Sequence, residues 1–208
     1  MSAKSSVAKA LVVVGLLWAS SALASADDHR YYESHSATQD FVAGGTLHVR
    51  MSVGDLHITR SSSNQLHLSY TIKSGKESRL KECSVDFNVH GNEADLEFHS
   101  PTPSNTSFDV ELEVPENTRL DVHEKVGDLT VEKIDGDKDL ELSVGNIRVA
   151  DDHPSYRYVS ASSSIGDVSG NGYGEGKGWL GKTLKYHGEG SYELRARVSV
   201  GDVTLEGK

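Results

Sequence analysis

Apolar and polar residues alternate along most of the chain from Phe41 onward. In the segment 47–53, leucine, valine and methionine occupy every second position, and histidine, arginine and serine lie between them. The same period of two recurs in the segments 66–72, 83–89, 95–98, 108–114 and 192–200. A period of two places alternate side chains on opposite faces of a β-strand, so the pattern predicts half-buried strands throughout residues 41–208.

A helical period is almost missing from the same region. The segment 73–82 (KSGKESRLKE) is the one helix candidate after the first 26 residues, and it has too few apolar residues to bury a face. The chain is therefore predicted to be all-β.

A four-residue phrase recurs five times in this all-β chain: an aliphatic residue, glycine, Asp or Asn, and another aliphatic residue. Glycine adopts positive φ without steric cost, Asp and Asn tolerate that region, and the flanking aliphatic residues suit strands. Each copy therefore predicts a strand, a sharp corner and a second strand. The corners are Gly54–Asp55, Gly127–Asp128, Gly145–Asn146, Gly166–Asp167 and Gly201–Asp202. The alternation places the aliphatic residue before the glycine on the inward face, as at Val53, Val144 and Val200.

Two architectures fit these corners. In a hairpin, Gly-Asp is a two-residue loop, whereas in a solenoid it is one corner of a repeating coil. Gly127, Gly145 and Gly166 are 18 and 21 residues apart, which favours stacked coils in the middle of the chain. A hairpin fits equally well at Gly54, because the sequence alternates cleanly on both sides of it. We predict a single domain built as a β-solenoid-like stack of short strands with Gly-Asp corners.

The first 26 residues have the features of a cleaved signal peptide. Lys4 and Lys9 give a basic start, Ala10–Trp18 is apolar, and Ala24–Ala26 provides a small-residue cleavage signal. The apolar run is too short to span a membrane. We therefore expect export to the periplasm, or secretion to the cell surface, with residues 27–40 as a polar, flexible lead-in to the domain.

Charge and cysteine content limit the partners. The formal net charge is −10, and removing the leader with its two lysines lowers it to −12. Such an acidic chain disfavours nucleic acid and anionic membranes as partners. Cys83 is the sole cysteine, so an intramolecular disulfide is excluded, and its phase places it on the inward face.

The segment Val110–Val149 contains an alternating strand, a turn at Pro115, another strand and then repeated Gly-Asp corners. In this order it resembles the putative adhesin family of unknown function, sometimes called toastrack, and the resemblance extends over 41–208. It implies a β-solenoid-like domain on exported or membrane-tethered bacterial proteins, and it implies no catalytic residues. The glycine-rich segment 166–190 departs from the repeat and is predicted to be a loop.

Three motifs suggest other chemistry. Gly176–Thr183 matches the P-loop pattern, and Gly176, Gly178 and Gly181 match a dinucleotide pattern, but both motifs need a preceding strand and a following helix that this sequence does not predict. His48, His57 and His67 fall on outward positions, where imidazoles can bind zinc or copper. Stacked corner carboxylates can recruit calcium, although capping of local backbone N–H groups explains them more simply.

No nucleophile with a base is evident, since the serines of Ser160–Ser164 lack an elbow motif and a nearby histidine. We therefore assign no catalytic, cofactor-binding or metal residues and no cofactor. The function predicted is a non-enzymatic platform of the cell envelope that binds another envelope protein or a glycan through its sheet edges or residues 166–190. The alternatives are a polysaccharide hydrolase or lyase on a β-helix, and a metal-binding periplasmic protein.

Overall fold

The structure is a computed structural model that describes residues 31–101, 105–151 and 156–207. These residues form sixteen strands and one short helix. The strands are β1 (Tyr31–Asp40), β2 (Thr46–Arg60), β3 (Gln65–Ser74), β4 (Ser84–His90), β5 (Glu93–His99), β6 (Thr106–Val114), β7 (Arg119–Val126), β8 (Leu129–Glu132), β9 (Lys138–Val144), β10 (Ile147–Asp151), β11 (Tyr156–Ile165), β12 (Val168–Asn171), β13 (Gly174–Glu175), β14 (Lys182–His187), β15 (Tyr192–Val200) and β16 (Val203–Gly207). The helix α1 (Glu77–Leu80) lies in the predicted helix candidate, makes a single turn and buries Leu80.

The strands form two sheets that share β2. We call them the front sheet, with the order β4-β5-β2-β7-β9-β15-β11-β14, and the back sheet, with the order β1-β3-β6-β2-β8-β10-β16-β12-β13. The first part of β2 pairs with β5 and β7 in the front sheet, and its second part pairs with β6 and β8 in the back sheet. β2 is therefore one continuous strand that turns a corner at Gly54, and the hairpin alternative is wrong there.

Five coils with one design make up the centre of the molecule. Each consists of a front strand, a Gly-Asp or Gly-Asn corner and a back strand, and neighbouring coils pair in parallel. The coils stack in the order β2, β7–β8, β9–β10, β15–β16 and β11–β12. This confirms the predicted all-β stack of short strands. The stacking order differs from the chain order, because the last coil of the chain inserts between β9–β10 and β11–β12.

The core lies between the two sheets and follows the period-two pattern. Front-sheet rows such as Val49, Val122 and Leu140 face back-sheet rows that begin at Leu56 and Leu129, and all five side chains are buried. Leucine, isoleucine and valine in these rows suit both the pleated backbone and burial, so each coil adds apolar contact to the next.

The corners stack more tightly than any side chain would allow. A Cβ built on Gly127 would lie 1.5 Å from the carbonyl oxygen of Gly54, and one on Gly145 would lie 1.7 Å from that of Gly127. A Cβ on Gly201 would lie 1.8 Å from the carbonyl oxygen of Gly145, and one on Gly166 would lie 2.1 Å from that of Gly201. All five glycines have φ between 131° and 149°. Glycine is thus required at each corner both for its backbone conformation and for the space it leaves.

Residues 31–40 are a strand and not the flexible lead-in predicted for 27–40. Strand β1 pairs antiparallel with β3 over ten residue pairs, from Tyr31↔Ser74 to Asp40↔Gln65. Its side chains are largely exposed at the edge of the back sheet, so their polarity gave no sign of a strand. Residues 27–30 and the predicted signal peptide 1–26 lie outside the described residues.

The predicted loop at 166–190 also contains strands. β12 completes the coil that begins with β11, and β14 pairs antiparallel with β11 from Tyr158↔His187 to Ser163↔Lys182. Glycines hide the alternation here because they occupy the turns between short strands, as at Gly178 with φ +146°.

We expect Gly145→Ala to destabilise the fold by at least about 3 kcal/mol, because the added Cβ combines positive-φ strain with a backbone clash. Gly91→Ala is the matched control. Gly91 also has positive φ, +67°, but it has open space, so its cost is the conformational strain alone, about 1–2 kcal/mol. Urea unfolding of both variants measures the difference, and equal losses would contradict the stacking argument.

Candidate functional site

The corner residues that the sequence singles out come together along one edge of the stack. Beside the glycine column, the Asp and Asn residues form a ladder of side-chain to backbone hydrogen bonds. The N–H groups of Asp128 and Asn146 donate to Oδ1 of Asp55 (3.0 Å) and Asp128 (2.9 Å), respectively. Asp202 N–H donates to Asn146 Oδ1 (3.1 Å), and Asp167 N–H donates to Asp202 Oδ1 (2.7 Å).

This ladder explains why an acid or its amide follows each glycine. The corner N–H lies where the chain leaves one sheet for the other, and the oxygen of the coil below satisfies it. The caps therefore run between coils and not within one corner. Within the described ranges, no group of three or more His, Cys, Asp or Glu side chains is arranged to hold a metal ion.

The aliphatic residue before the glycine is exposed in four of the five coils, which contradicts the prediction that it faces inward. Val144 and Val200 are 45% and 42% exposed, and Val53 is only partly buried. In every coil two consecutive residues before the glycine turn outward, because the strand bends from the front sheet to the back sheet at this point. A bend of this kind ends the inward–outward alternation two residues earlier than the sequence suggests.

A groove of about 680 Å³ crosses the outer face of the front sheet, next to the corners. It runs along the stack over β5, β2, β7, β9, β15 and β11, a span of about 24 Å at the usual strand spacing. Its floor includes residues whose side chains point into the core, such as Met51 and Leu142, so their main chain forms the bottom.

Two rows of side chains line the groove. The first is a charged row in direct register, which consists of Glu97, Arg50, His123, Glu141, Arg197 and Ser162. The second is a small polar row nearer the corners, which consists of Ser52, Lys125, Ser143, Ser199 and Ser164. The short serine side chains leave room above the floor, and the longer charged side chains form the opposite wall.

The charges of this face are paired with one another. His123 lies 2.9 Å from Asp121 and 3.1 Å from Glu141. Arg197 pairs with Asp139 at 3.0 Å and also contacts Glu141. These pairs hold both signs of charge in fixed positions on the groove wall.

Asp121 shows the effect of this pairing on acidity. Burial raises its pKa, but the hydrogen bond from His48 (2.8 Å) and the positive charges of His123, His48 and Arg50 outweigh burial, so the pKa is lowered. A lowered pKa keeps Asp121 an anion that accepts hydrogen bonds at neutral pH, and such a face is suited to hold a polar ligand.

One buried carboxyl beneath the corners has no counterpart in the other coils. Glu124 is 3% exposed and lies in the inward row with Met51, Leu142 and Val198. Among the described residues, neither of its carboxyl oxygens has a hydrogen-bond partner. Burial, followed by the negative charges of Asp55 and Asp128, raises the pKa of Glu124 to about 8. The sequence places Glu124 on the inward face, because it shares the phase of Leu120 and Val122. Only the fold shows that Asp55 and Asp128 lie above its carboxyl group.

A second buried polar group lies at the opposite end of the coils. Lys138 is fully buried, and its Nζ donates to the Ile134 carbonyl and to the Tyr156 hydroxyl, which in turn donates to Asp151. Burial lowers the pKa of Lys138 and raises that of Tyr156. Because these side chains are sealed from solvent, we interpret the group as a structural link between coils.

The three predicted outward histidines do not share a face. His48 is on the front sheet beside Asp121, whereas His57 is on the back sheet near Glu111, at 3.0 Å. His67, on β3, contacts the hydroxyls of Thr38 and Ser63. His57 and His67 both lie on the outer face of the back sheet, where each pairs with its own neighbours, whereas His48 lies on the front sheet.

The P-loop-like segment forms a turn between strands. Lys177 and Thr183 form an isolated antiparallel bridge, and strand β14 follows where a P-loop needs a helix. Trp179 and Leu180 at its tip are 92% and 77% exposed. The segment therefore lacks the strand-to-helix geometry that holds a nucleotide phosphate.

In the described part of the chain, no helix is both long enough and apolar enough to cross a bilayer. No protein-family model matches the sequence, and no curated protein matches it. Fourteen solved chains match the structure.

One of them is a putative cell adhesion protein from Clostridium sporogenes, 16% identical, which covers 85% of this chain and 100% of that chain with a TM-score of 0.51. A putative adhesin from Bacteroides fragilis (8% identity, 83% and 97% coverage) has a TM-score of 0.31. A putative adhesin from Parabacteroides merdae (12% identity, 66% and 62% coverage) has a TM-score of 0.32. The Clostridium structure shows that this all-β fold occurs in a known bacterial protein, and at this identity it shows the fold alone.

We expect Glu124→Gln to stabilise the protein, with a gain that grows as the pH rises. The carboxyl has a pKa of about 8 in the folded state against 4.5 ordinarily, so between these values the unfolded chain loses the proton first and stability falls with increasing pH. Gln carries no such proton, and the gain should increase by about 3 kcal/mol between pH 4.5 and pH 7.

Chemical unfolding at several pH values measures this gain. Glu175→Gln, at an exposed position of β13, removes one negative charge without removing a buried carboxyl and is the matched control. A Glu124→Gln gain that does not change with pH would contradict the assignment.

Proposed function

We propose that this chain is a non-enzymatic, adhesin-like binding protein of the cell envelope that holds a glycan in the front-sheet groove. The observation that carries the proposal is the groove itself, about 680 Å³ in volume and lined by serine hydroxyls and fixed charges of both signs. The leader-like residues 1–26 support export, and the all-β fold is that of the Clostridium sporogenes cell adhesion structure.

The direction of the groove favours a glycan over an extended peptide. An extended peptide usually binds a sheet by adding a strand at its edge, where backbone groups are free. Here the groove crosses strands that are already paired on both sides, so its floor offers few free backbone groups. A ligand in the groove is therefore recognised by side chains. A polyhydroxylated chain can donate hydrogen bonds to Glu141 and accept them from Arg197 or the serine hydroxyls.

The state of the acids favours binding over catalysis. A carboxylic acid that protonates a leaving group needs a raised pKa and access to the substrate. The pKa of Asp121, beside the groove, is lowered, and Glu124, whose pKa is raised to about 8, is 3% exposed with its side chain in the inward row beneath the groove floor. The pKa of Glu193, on the same sheet, is also lowered, chiefly by the hydrogen bond from Arg157. Asp121 and Glu193 are held as anions by neighbouring cations.

The alternative is a polysaccharide hydrolase or lyase, and one observation favours it. Arg197 lies between Asp139 and Glu141 in the groove, and basic and acidic residues in one groove are what such an enzyme would use. The two functions differ in their product, because an enzyme shortens the bound polysaccharide and a binding protein leaves its length unchanged.

We expect the purified protein to bind neutral or amino-sugar oligosaccharides, since its acidic charge disfavours anionic ones. Calorimetry with cellohexaose, maltohexaose and chitohexaose tests this. Filling the groove with Ser143→Arg and Ser199→Arg should weaken binding at least about tenfold. Ser169→Arg, an exposed position of the back sheet, is the matched control and should leave binding unchanged.

Chromatography of the same mixtures after prolonged incubation decides between binding and cleavage. Intact oligosaccharides support the platform, whereas shortened products would replace it with the enzyme alternative. Binding that survives both arginine substitutions would remove the groove as the site.

A further inference from the structure

The corner edge carries two parallel stripes that run along the stack. The apolar stripe consists of Val53, Val126, Val144, Val200 and Ile165, which are paired in direct register from coil to coil. The acidic stripe consists of Asp55, Asp128, Asn146, Asp202 and Asp167, all exposed. The two stripes lie on either side of the glycine column, since each coil contributes one residue before its glycine and one after it.

The apolar stripe is exposed to solvent along most of its length. Val126 is 44% exposed and Ile165 is 65% exposed. The position just before it in each coil is serine or lysine, as at Ser143 and Lys125, and that position is equally outside. Packing of the coil therefore does not require an aliphatic residue here, and contiguous exposed aliphatic residues mark interaction surfaces.

The turn before β14 lies next to the coil that ends the stripe. Ser163 pairs with Lys182, so the bend at residues 179–181 directly precedes the strand that runs beside the end of β11, where Ile165 lies. A Cβ built on Gly181 would lie 3.0 Å from the carbonyl oxygen of Ser163, so the turn passes close to this coil. The two most exposed large apolar side chains of the described residues, Trp179 and Leu180, thus lie in a turn that passes close to this end coil.

The spacing of the stripe selects the kind of segment that fits it. Coils repeat at about 4.8 Å, and one turn of an α-helix rises about 5.4 Å. The four intervals between five coils therefore match about four helical turns, with a total mismatch of about 2–3 Å. Side chains on one face of an extended strand repeat at about 6.7 Å and lose register within two rungs. A helix laid along the stack therefore places one apolar residue per turn on successive rungs.

The acidic stripe selects the charge of that helix. Asp55, Asp128, Asp202 and Asp167 carry four negative charges in a row, and among the described residues Lys182, 3.9 Å from Asp167, is the cation at ion-pair distance from them. A second copy of this chain would bring the same acidic stripe and the same net charge of −10. We propose that the corner edge binds a basic amphipathic α-helix of a partner protein, with its apolar face on the apolar stripe and its Lys or Arg residues against the acidic stripe.

This surface adjoins the serine row of the groove but uses other side chains, so the proposal does not rest on glycan binding. The probe is a synthetic peptide of 16 residues with leucine at positions i, i+3, i+4 and i+7 and arginine along one flank. A peptide of the same composition in scrambled order is its control. We expect the ordered peptide to bind and the scrambled one to bind at least about tenfold more weakly, as measured by calorimetry.

Two sets of variants test the two stripes. Val144→Ser with Val200→Ser should weaken binding about tenfold, whereas Val42→Ser, a 52% exposed valine far from the corners in the chain, should leave it unchanged. Asp128→Asn with Asp202→Asn should weaken binding and flatten its dependence on salt. The asparagine oxygen keeps the ladder hydrogen bond, as Asn146 already does, so these variants retain the fold.

Equal binding of the ordered and scrambled peptides would overturn the proposal, and so would unchanged binding by the valine variants. A concentration-dependent dimer in analytical ultracentrifugation that the valine variants dissociate would also overturn it, because a second copy would then be the occupant. Loss of peptide binding by the valine variants with glycan binding retained would support two independent surfaces.

Discussion

The close approach of backbone at the corners is the constraint on which the rest of the molecule depends. Each corner glycine has the carbonyl oxygen of the preceding rung in the place where a side chain would begin, as at Gly127 over Gly54. This contact lets successive coils stack at strand spacing on both sheets at once. It also leaves the corner N–H groups without a strand partner, and the Asp and Asn oxygens satisfy them. Backbone conformation, side-chain identity and coil spacing are therefore coupled at a single point.

The surface features follow from the same bend. Because the strand changes direction two residues before the glycine, a polar and an aliphatic residue are both turned outward in every coil. Repetition then converts one bend into long rows, which are the serine row of the groove, the apolar stripe and the acidic stripe. Glu124 lies beneath the acidic stripe and remains protonated near neutral pH because Asp55 and Asp128 add to the effect of its burial.

The sequence predicts the fold where local pattern and tertiary structure agree. The alternation predicts strands and core residues such as Val49 and Leu140, and the Gly-Asp phrase predicts the corners. The prediction of an inward side chain is wrong for Val53, Val144 and Val200, because a period of two does not reveal where a strand bends. The alternation fails for 31–40, since an edge strand can be polar on both faces and still pair through its backbone. The groove could not be predicted, because register between coils that are distant in the chain decides which side chains share a row.

The order of the stack has a consequence for how the chain is made. The coil β15–β16, from the end of the chain, lies between two coils that precede it, and β2 similarly separates β5 and β6 from β7 and β8. Until residues 192–207 have emerged, β9 and β10 have no neighbour on one side and β11 and β12 have none on the other. A partly synthesised chain thus presents open sheet edges in its middle, and the domain closes only when its C-terminal strands arrive. A chain passing through a membrane pore would stay unclosed until residues 192–207 had crossed, which is a form in which it can still be threaded.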